Sequence, residues 1–255
     1  MRLTTLGTGT IALSPERVCA GHLVEAGVVR LLLDCGSGVA HRLAERGVAW
    51  REITHVAFTH FHLDHISDFA TLVFAWQYGD LPGRSAPLMV IGPEGTTALL
   101  GRLADAFGEW LRTPGFDITV TEIASGVTLD LGDGVQLAAT KVPHTAESVA
   151  YSISRGGRRI VYTGDTGYDP MFGEWARGAD LLLCECSLPT EMAIAEHLTP
   201  EQCGALAAAA LPAHLVLTHF YPPVERTDVR AAVAAHYPGP VSLASDGAMF
   251  EIEEG

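Results

Sequence analysis

The segment Thr59-His60-Phe61-His62-Leu63-Asp64-His65 contains three histidines and one aspartate within the six positions from His60 to His65. Imidazole nitrogens suit zinc and iron, and carboxylate oxygens suit harder cations. The apolar stretch Val56-Ala57-Phe58 directly before this histidine segment is typical of a buried strand. The sequence therefore predicts a metal site where that strand ends.

Four further polar residues, Asp34, His144, Asp165 and His219, each follow an apolar stretch elsewhere in the chain. Functional sites are commonly assembled from loops at one end of a rigid sheet, and residues at strand ends are well placed for this. Any one of the four is equally explained as a turn or capping residue. Together with the histidine segment, they supply enough donors for two metal ions, which predicts a metalloenzyme.

The composition predicts one globular domain spanning residues 1–255. Hydrophobic residues make up 48% of the chain and charged residues 18%, which is enough apolar material for a sizeable core. The sequence contains no serine- and glycine-rich linker, charge block or repeat of solenoid period. No apolar run approaches the roughly 20 residues that span a bilayer, and the opening stretch is too short for a signal peptide. We therefore expect a cytoplasmic protein with no membrane partner.

Charge and cysteine usage narrow the classes of partner further. The formal net charge of −14 disfavours loose binding of nucleic acid or of an anionic membrane, since both are negatively charged. The five cysteines form no paired C-x-x-C motif, which is typical of reduced thiols. Cys184 and Cys186 would share one face of a strand, as a metal-binding pair would. Because they belong to an apolar run, we interpret them as small buried residues.

Strand-like and helix-like stretches alternate through both halves of the chain. The apolar positions of residues 69–76 recur at helical spacing, and Thr199 is a suitable N-cap for a helix over residues 200–210. Helices are also predicted over residues 94–111 and 227–236. We expect an α+β protein built as an αββα sandwich, in which two facing mixed sheets carry helices on both outer faces. The periodicity alone is equally compatible with a doubly wound sheet.

The motif His60-x-His62-x-Asp64-His65, followed in order by His144, Asp165 and His219, resembles the five-motif pattern of the metallo-β-lactamase fold superfamily. The position of Asp64 and its surroundings resemble the ribonuclease Z-like branch. The resemblance extends through nearly the whole chain, and its other parts are Leu6–Thr10, Leu33–Gly36, Tyr162–Thr166, Leu217–Phe220 and Ser245–Gly247.

The resemblance implies two divalent metal ions, namely zinc, with manganese or iron as alternatives. One ion would be held by His60, His62 and His144, the other by Asp64, His65 and His219, with Asp165 between them. Asp34 would orient a ligating imidazole, as metal-bound histidines usually require. The implied chemistry is hydrolysis by a hydroxide that bridges the two ions. Asp64 is then a residue on which catalysis depends.

Ribonuclease Z-like enzymes also carry a glutamate in an H-E-A-T stretch and a histidine in an H-S-T stretch, which act together at the leaving group. The corresponding stretches here are Cys184-Glu185-Cys186-Ser187 and His197-Leu198-Thr199, which keep the glutamate and the histidine but differ around them. We expect His197 to protonate the leaving oxygen while Glu185 positions it. The alternative is that His197 only caps the following helix.

The interval between His144 and Asp165 argues against a folded RNA substrate. Enzymes of this branch that process transfer RNA carry a long arm there, whereas this chain has only 20 residues, 145–164. The excess of acidic residues also argues against a folded RNA substrate, because proteins that bind folded RNA usually show a basic patch.

We therefore expect a hydrolase, most specifically a phosphodiesterase acting on a small cyclic or nucleotide-like ester. The alternatives are a transfer RNA 3′-processing endonuclease and a lactonase, thioesterase or sulfatase, because the same site serves all of them. No ligand position is missing, which disfavours a metal-free scaffold protein. Relatives are often dimers, so the resemblance also implies a homodimer.

Overall fold

The computed structural model describes residues 1–253. In that part of the chain the strands are β1 (Arg2–Gly7), β2 (Gly21–Ala26), β3 (Val29–Leu33), β4 (His55–Ala57), β5 (Leu88–Gly92), β6 (Ile118–Glu122), β7 (Thr128–Gly132), β8 (Val135–Lys141), β9 (Val149–Arg155), β10 (Arg158–Tyr162), β11 (Leu181–Glu185), β12 (His214–Thr218), β13 (Val241–Leu243) and β14 (Ala248–Glu251). The α-helices are α1 (Val39–Glu45), α2 (Leu63–Ile66), α3 (Phe69–Tyr78), α4 (Thr96–Phe107), α5 (Pro170–Trp175), α6 (Pro200–Ala210) and α7 (Val229–Ala234).

The strands form two mixed sheets of seven. The first sheet has the order β14-β1-β2-β3-β4-β5-β6, and the second has the order β13-β12-β11-β10-β9-β8-β7. β3 and β4 run parallel, as do β10, β11 and β12. Because parallel strands end at the same edge of a sheet, the residues that follow them are brought together there.

The main core lies between the two sheets. Leu31 and Leu33 of the first sheet and Leu183 and Val216 of the second belong to one buried apolar cluster. A second cluster joins the first sheet to α1, α3 and α4, and a third joins the second sheet to helices from the C-terminal half. Two sheets with helices on both outer faces confirm the predicted αββα sandwich.

Local signals predicted some helices more accurately than others. Helix α6 has the predicted bounds, and Thr199 forms a capping box with Gln202 at its start. The helix predicted over residues 94–111 instead ends at Phe107, because Gly108 takes a φ of 121° that no α-helix continues.

Two further departures concern the C-terminal half. The helix predicted over residues 227–236 is shorter, since α7 begins only after the Asp228 cap, whose carboxylate accepts from the Ala231 amide. Helix α5 was not predicted. Its signal was present in the sequence, because Asp169 caps it and Pro170 occupies its first turn.

Two other expectations concern membranes and thiols. Across residues 1–253, no helix combines the length and the apolar character needed to cross a membrane. All five cysteines are buried and free, including Cys184 and Cys186, so both are small core residues as predicted.

Candidate metal centre

The candidate ligands are carried by loops at one edge of the two sheets. In the first sheet, Asp34 follows β3 directly and the histidine segment follows β4. In the second sheet, Asp165 lies just beyond β10 and His219 directly follows β12, while His144 lies in the connection from β8 to β9. Since the parallel strands end together, residues far apart in sequence meet at this edge, as predicted.

One group of donors comprises His60, His62, His144 and Asp165, whose ligand atoms all lie within 4.8 Å of one another. His144 Nε2 lies 3.1 Å from His62 Nδ1. Asp165 Oδ2 lies 3.8 Å from both His60 Nε2 and His144 Nε2. These nitrogens and this oxygen therefore face a common point that is suited to a cation.

A second group comprises Asp64, His65 and His219, again within 4.8 Å. His219 Nε2 lies 3.5 Å from Asp64 Oδ2 and 3.4 Å from His65 Nε2. The other carboxylate oxygen of Asp165, Oδ1, lies 3.2 Å from His65 Nε2 and 3.3 Å from His219 Nε2. Asp165 thus presents one oxygen to each group, which is the arrangement expected of a residue between two ions.

The chemistry of these donors fits a divalent cation. Among the described residues, the buried atoms His60 Nε2 and Asp165 Oδ1 have no hydrogen-bonding partner, although imidazole nitrogens lie close to both. A buried polar atom without a partner is unfavourable. A cation in the first group would satisfy His60 Nε2, and a cation in the second group would satisfy Asp165 Oδ1. Clusters of histidine and carboxylate ligands are typical of zinc and related metals.

Partners of the other ring nitrogen fix the orientation of several imidazoles. His144 Nδ1 lies 2.9 Å from the Glu196 carbonyl oxygen and must donate to it, which leaves the Nε2 lone pair free for a metal. His219 Nδ1 lies 2.9 Å from the Ser187 hydroxyl. His60 Nδ1 lies 3.0 Å from the hydroxyl of Thr59.

Asp34 performs this function for His65 and also links the two sheets. Its buried carboxylate accepts from His65 Nδ1 at 2.8 Å, from the Thr59 amide at 2.8 Å and from the Thr59 hydroxyl at 2.9 Å. The Tyr162 hydroxyl, which comes from the second sheet, donates to it at 3.0 Å. Asp34 and His219 have φ values of 56° and 59°. Such left-handed backbone at non-glycine residues is concentrated at functional sites.

Electrostatics show how strongly the buried groups interact. Burial disfavours protonation of His65, but the Asp165 and Asp34 carboxylates outweigh it and raise its pKa well above the usual value. Burial alone would raise the pKa of Asp165, yet the His219 and His65 imidazoles hold it well below its usual range. Metal ligation requires neutral imidazoles, so binding of a cation here would release protons.

Glu185 and His197 lie beside these donors. His197 Nδ1 is 3.0 Å and 3.2 Å from the two Glu185 oxygens. The same buried carboxylate accepts from the Thr166 amide at 2.6 Å, so it also holds the backbone next to Asp165. Burial lowers the pKa of His197, but Glu185 outweighs it and raises that pKa to about 9. Because Thr199 caps α6, the cap does not explain the position of His197.

Sequence reasoning missed several residues that support the site. Ser187 is two residues after Glu185, but nothing in the sequence indicates its contact with His219. Tyr162 begins the Tyr162–Thr166 motif, which does not indicate that its hydroxyl reaches Asp34. Glu196 contributes a backbone carbonyl, for which a sequence holds no signal. Tyr221 lines the cavity at the donors, and its place two residues after His219 was the only hint.

The donors open into a cavity of about 350 Å³, lined by Ile11, His62, Leu63, Asp64, Asp165, His197 and Tyr221. A larger cavity of about 670 Å³ lies elsewhere and contains none of the candidate ligands, so the smaller one is the relevant site.

A family model described as a beta-lactamase superfamily domain matches residues 29–220, which is most of the chain. The chain belongs to this superfamily and has the metallo-β-lactamase fold. A ribonuclease Z from Mycobacterium marinum is 30% identical over 273 residues, covering 96% of each chain. An uncharacterized protein from Mycobacterium leprae is 31% identical over 261 residues, covering 99% of this chain and 89% of that protein.

A solved structure agrees with these sequence matches. The metallo-β-lactamase fold protein YhfI from Bacillus subtilis is 25% identical, with a TM-score of 0.84 and coverage of 98% of both chains. The resemblance to the ribonuclease Z-like branch is therefore confirmed, and the protein is a hydrolase with the metallo-β-lactamase fold. The histidine and aspartate clusters of this chain are suited to a divalent metal ion.

Asp34→Asn tests the orienting role of this carboxylate. We expect the affinity for zinc to fall about 10- to 100-fold, because the amide cannot accept all the hydrogen bonds that fix the His65 imidazole. Titration against a chromophoric chelator measures this affinity. Asp180→Asn is a matched control, since Asp180 also accepts a backbone hydrogen bond but lies before β11, at the opposite end of that strand. An unchanged affinity in Asp34→Asn would show that His65 does not depend on it.

Proposed function

We propose that this metallo-hydrolase is a two-metal phosphodiesterase that acts on a small phosphodiester. The observation that carries the proposal is the Glu185–His197 pair, with His197 Nδ1 3.0 Å from Glu185 Oε1 and the imidazole lining the donor cavity. A histidine held in this way can protonate an alkoxide as it leaves, and an alkoxide gains more from protonation than a good leaving group does.

The two ions would be held as follows: one by His60, His62 and His144, the other by Asp64, His65 and His219, with Asp165 between them. When bound, zinc or a similar ion supplies a water of lowered pKa and neutralises charge on the phosphoryl oxygens. Every donor in this list lies in one of the two groups described above.

Hydrolysis consumes one water molecule. Its oxygen bonds to phosphorus, and the P–O bond to the leaving alcohol breaks. The alcohol departs with a proton from His197, and a proton released by the water restores the imidazolium. Glu185 accepts a hydrogen bond from His197 Nδ1–H, and this orients the ring so that its Nε2 side is directed towards the cavity.

The short interval between His144 and Asp165 supports a small substrate. Residues 149–162 of this interval form the hairpin β9–β10, so no segment is left for an arm. The cavity of about 350 Å³ accommodates a small ester, and the net charge of −14 disfavours a polyanion.

Transfer RNA 3′-end processing is the second candidate, because the M. marinum relative is named ribonuclease Z and the match covers 96% of each chain. Lactonase, thioesterase and sulfatase activities use the same kind of dinuclear site, and the fold does not distinguish between them. The Glu185–His197 pair is the feature that favours phosphoryl transfer over these.

The proposed activity is tested with bis-p-nitrophenyl phosphate. We expect zinc- or manganese-replete protein to hydrolyse it and a chelator to stop the reaction. Asp64→Ala should abolish turnover, because the second donor group would then keep only His65 and His219 besides Asp165. Circular dichroism of the variant should show an intact fold. A metal-replete sample that hydrolyses lactones but no phosphodiester would overturn the proposal.

His197→Ala tests the general acid. For a phosphodiester with an alkyl leaving group we expect kcat to fall by about 10²- to 10⁴-fold, because that alkoxide needs a proton as it departs. The fall for p-nitrophenolate should be much smaller. His41→Ala, an exposed histidine on α1, is the control. Equal losses for both leaving groups would rule out proton donation by His197.

Precursor transfer RNA distinguishes the two candidates. We expect it to be a poor substrate, since the chain lacks the arm that grips it. An assay of 3′-end cleavage, with the M. marinum ribonuclease Z as the positive control, measures this. Efficient cleavage without an added partner would favour the second candidate.

A further inference from the structure

One wall of the donor cavity is apolar. Ile11, Leu63 and Tyr221 line it together with the candidate ligands. Ile11 is 51% exposed and Leu63 is 67% exposed, so both present apolar surface to whatever enters. Large exposed apolar side chains beside a reactive centre commonly mark a binding surface.

The loop that carries Ile11 is fixed at its base. Asp246 accepts from the Thr8 amide at 3.0 Å with one oxygen and from the Val18 amide at 2.8 Å with the other. The Gly9 amide also donates to the Val18 carbonyl at 2.9 Å. Both ends of the loop are therefore held together, which limits where Ile11 can lie.

The other two wall residues are fixed by the site itself. Leu63 stands between His62 and Asp64, so its backbone cannot move without moving two candidate ligands. Tyr221 follows His219 by two residues, and its ring centroid lies 6.1 Å from those of His197 and His219, edge-on to both. The positions of Leu63 and Tyr221 relative to the candidate ligands are therefore fixed.

Apart from His197, which faces the reacting group, the described side chains that line the cavity carry no positive charge. Among the residues of the described chain that line it, none is lysine or arginine, whereas Asp64 and Asp165 are acidic. Bound metal ions and His197 would both face the phosphoryl group that reacts, so a second phosphate placed against the apolar wall would meet no lysine or arginine of the described chain. Such a group would lose its hydration without a compensating ion pair.

We propose that the substrate is a singly charged phosphodiester with a compact aromatic or alkyl ester group that packs on Ile11, Leu63 and Tyr221. This inference rests on the proposed phosphodiesterase function and narrows its substrate class. Esters that carry a second phosphate are rejected, because the wall offers apolar contact where they need a cation.

Direct binding tests the wall separately from turnover. Isothermal titration of zinc-replete protein with diphenyl phosphate and dimethyl phosphate compares two diesters of equal charge. We expect diphenyl phosphate to bind at least about tenfold more tightly, as burial of an aromatic ring predicts. Thymidine 5′-(phenyl phosphate) should bind more tightly than its 3′-phosphorylated form, which is the same diester with a second phosphate.

Substitutions in the apolar wall test whether the wall causes the preference for diphenyl phosphate over dimethyl phosphate. Ile11→Ser and Leu63→Ser should each lower the ratio of the two dissociation constants about threefold or more, because each removes apolar contact area. Leu63→Met keeps an apolar side chain and should keep the ratio. Met249→Ser, at a residue that is 65% exposed on β14, is the control for an exposed apolar residue outside the cavity.

The outcomes separate the two proposals. Equal affinity for diphenyl and dimethyl phosphate, tighter binding of the 3′-phosphorylated diester, or an unchanged ratio in both serine variants would overturn the apolar-wall inference. Each of these results would leave phosphodiester hydrolysis intact. Tight, wall-dependent binding of diphenyl phosphate with no hydrolysis of any diester would overturn the proposed function and, with it, the claim that this ligand class is the substrate.

Discussion

The burial of the Asp165 carboxylate among imidazoles is the constraint on which the site depends. Its two oxygens face His60 and His144 on one side and His65 and His219 on the other, at 3.2 to 3.8 Å. A carboxylate in this position has lost its hydration, so it must be compensated by positive charge. A protonated His65 supplies some of that charge, and divalent ions would supply it without placing protons on the ring nitrogens.

The fold brings these donors together because the two sheets pack face to face and the loops at one edge of each sheet meet. Each sheet contributes one buried carboxylate that orients an imidazole: Asp34 after β3 holds His65, and Glu185 at the end of β11 holds His197. Tyr162 of the second sheet donates to Asp34 of the first, so the two halves are connected directly beneath the donors. The position of each donor therefore depends on the packing between the sheets, which is dominated by buried aliphatic side chains.

The sequence predicted which side chains meet at one edge because they lie in short local motifs at strand ends. His60, His62, Asp64 and His65 follow one strand within six positions. Parallel strands bring Asp34, Asp165 and His219 to the same edge, and the connection between the antiparallel strands β8 and β9 brings His144 there. Helix α6 was predicted with its bounds because Thr199 and Pro200 are local signals. The pairing of β1 with β14 could not be predicted in this way, because it joins residues about 250 positions apart that no local pattern connects.

The supporting contacts were harder to predict for the same reason. The Glu196 carbonyl, the Ser187 hydroxyl and the apolar wall at Ile11 and Tyr221 act through positions that only the folded chain defines. The ligand roles, and those of Glu185 and His197, stay predictions.

Anomalous diffraction at the zinc edge from zinc-replete crystals tests the central claim most directly. The account predicts two peaks per chain, one on each side of Asp165, with His60, His62 and His144 around the first and Asp64, His65 and His219 around the second. A single peak, or peaks that do not contact Asp165, would contradict it.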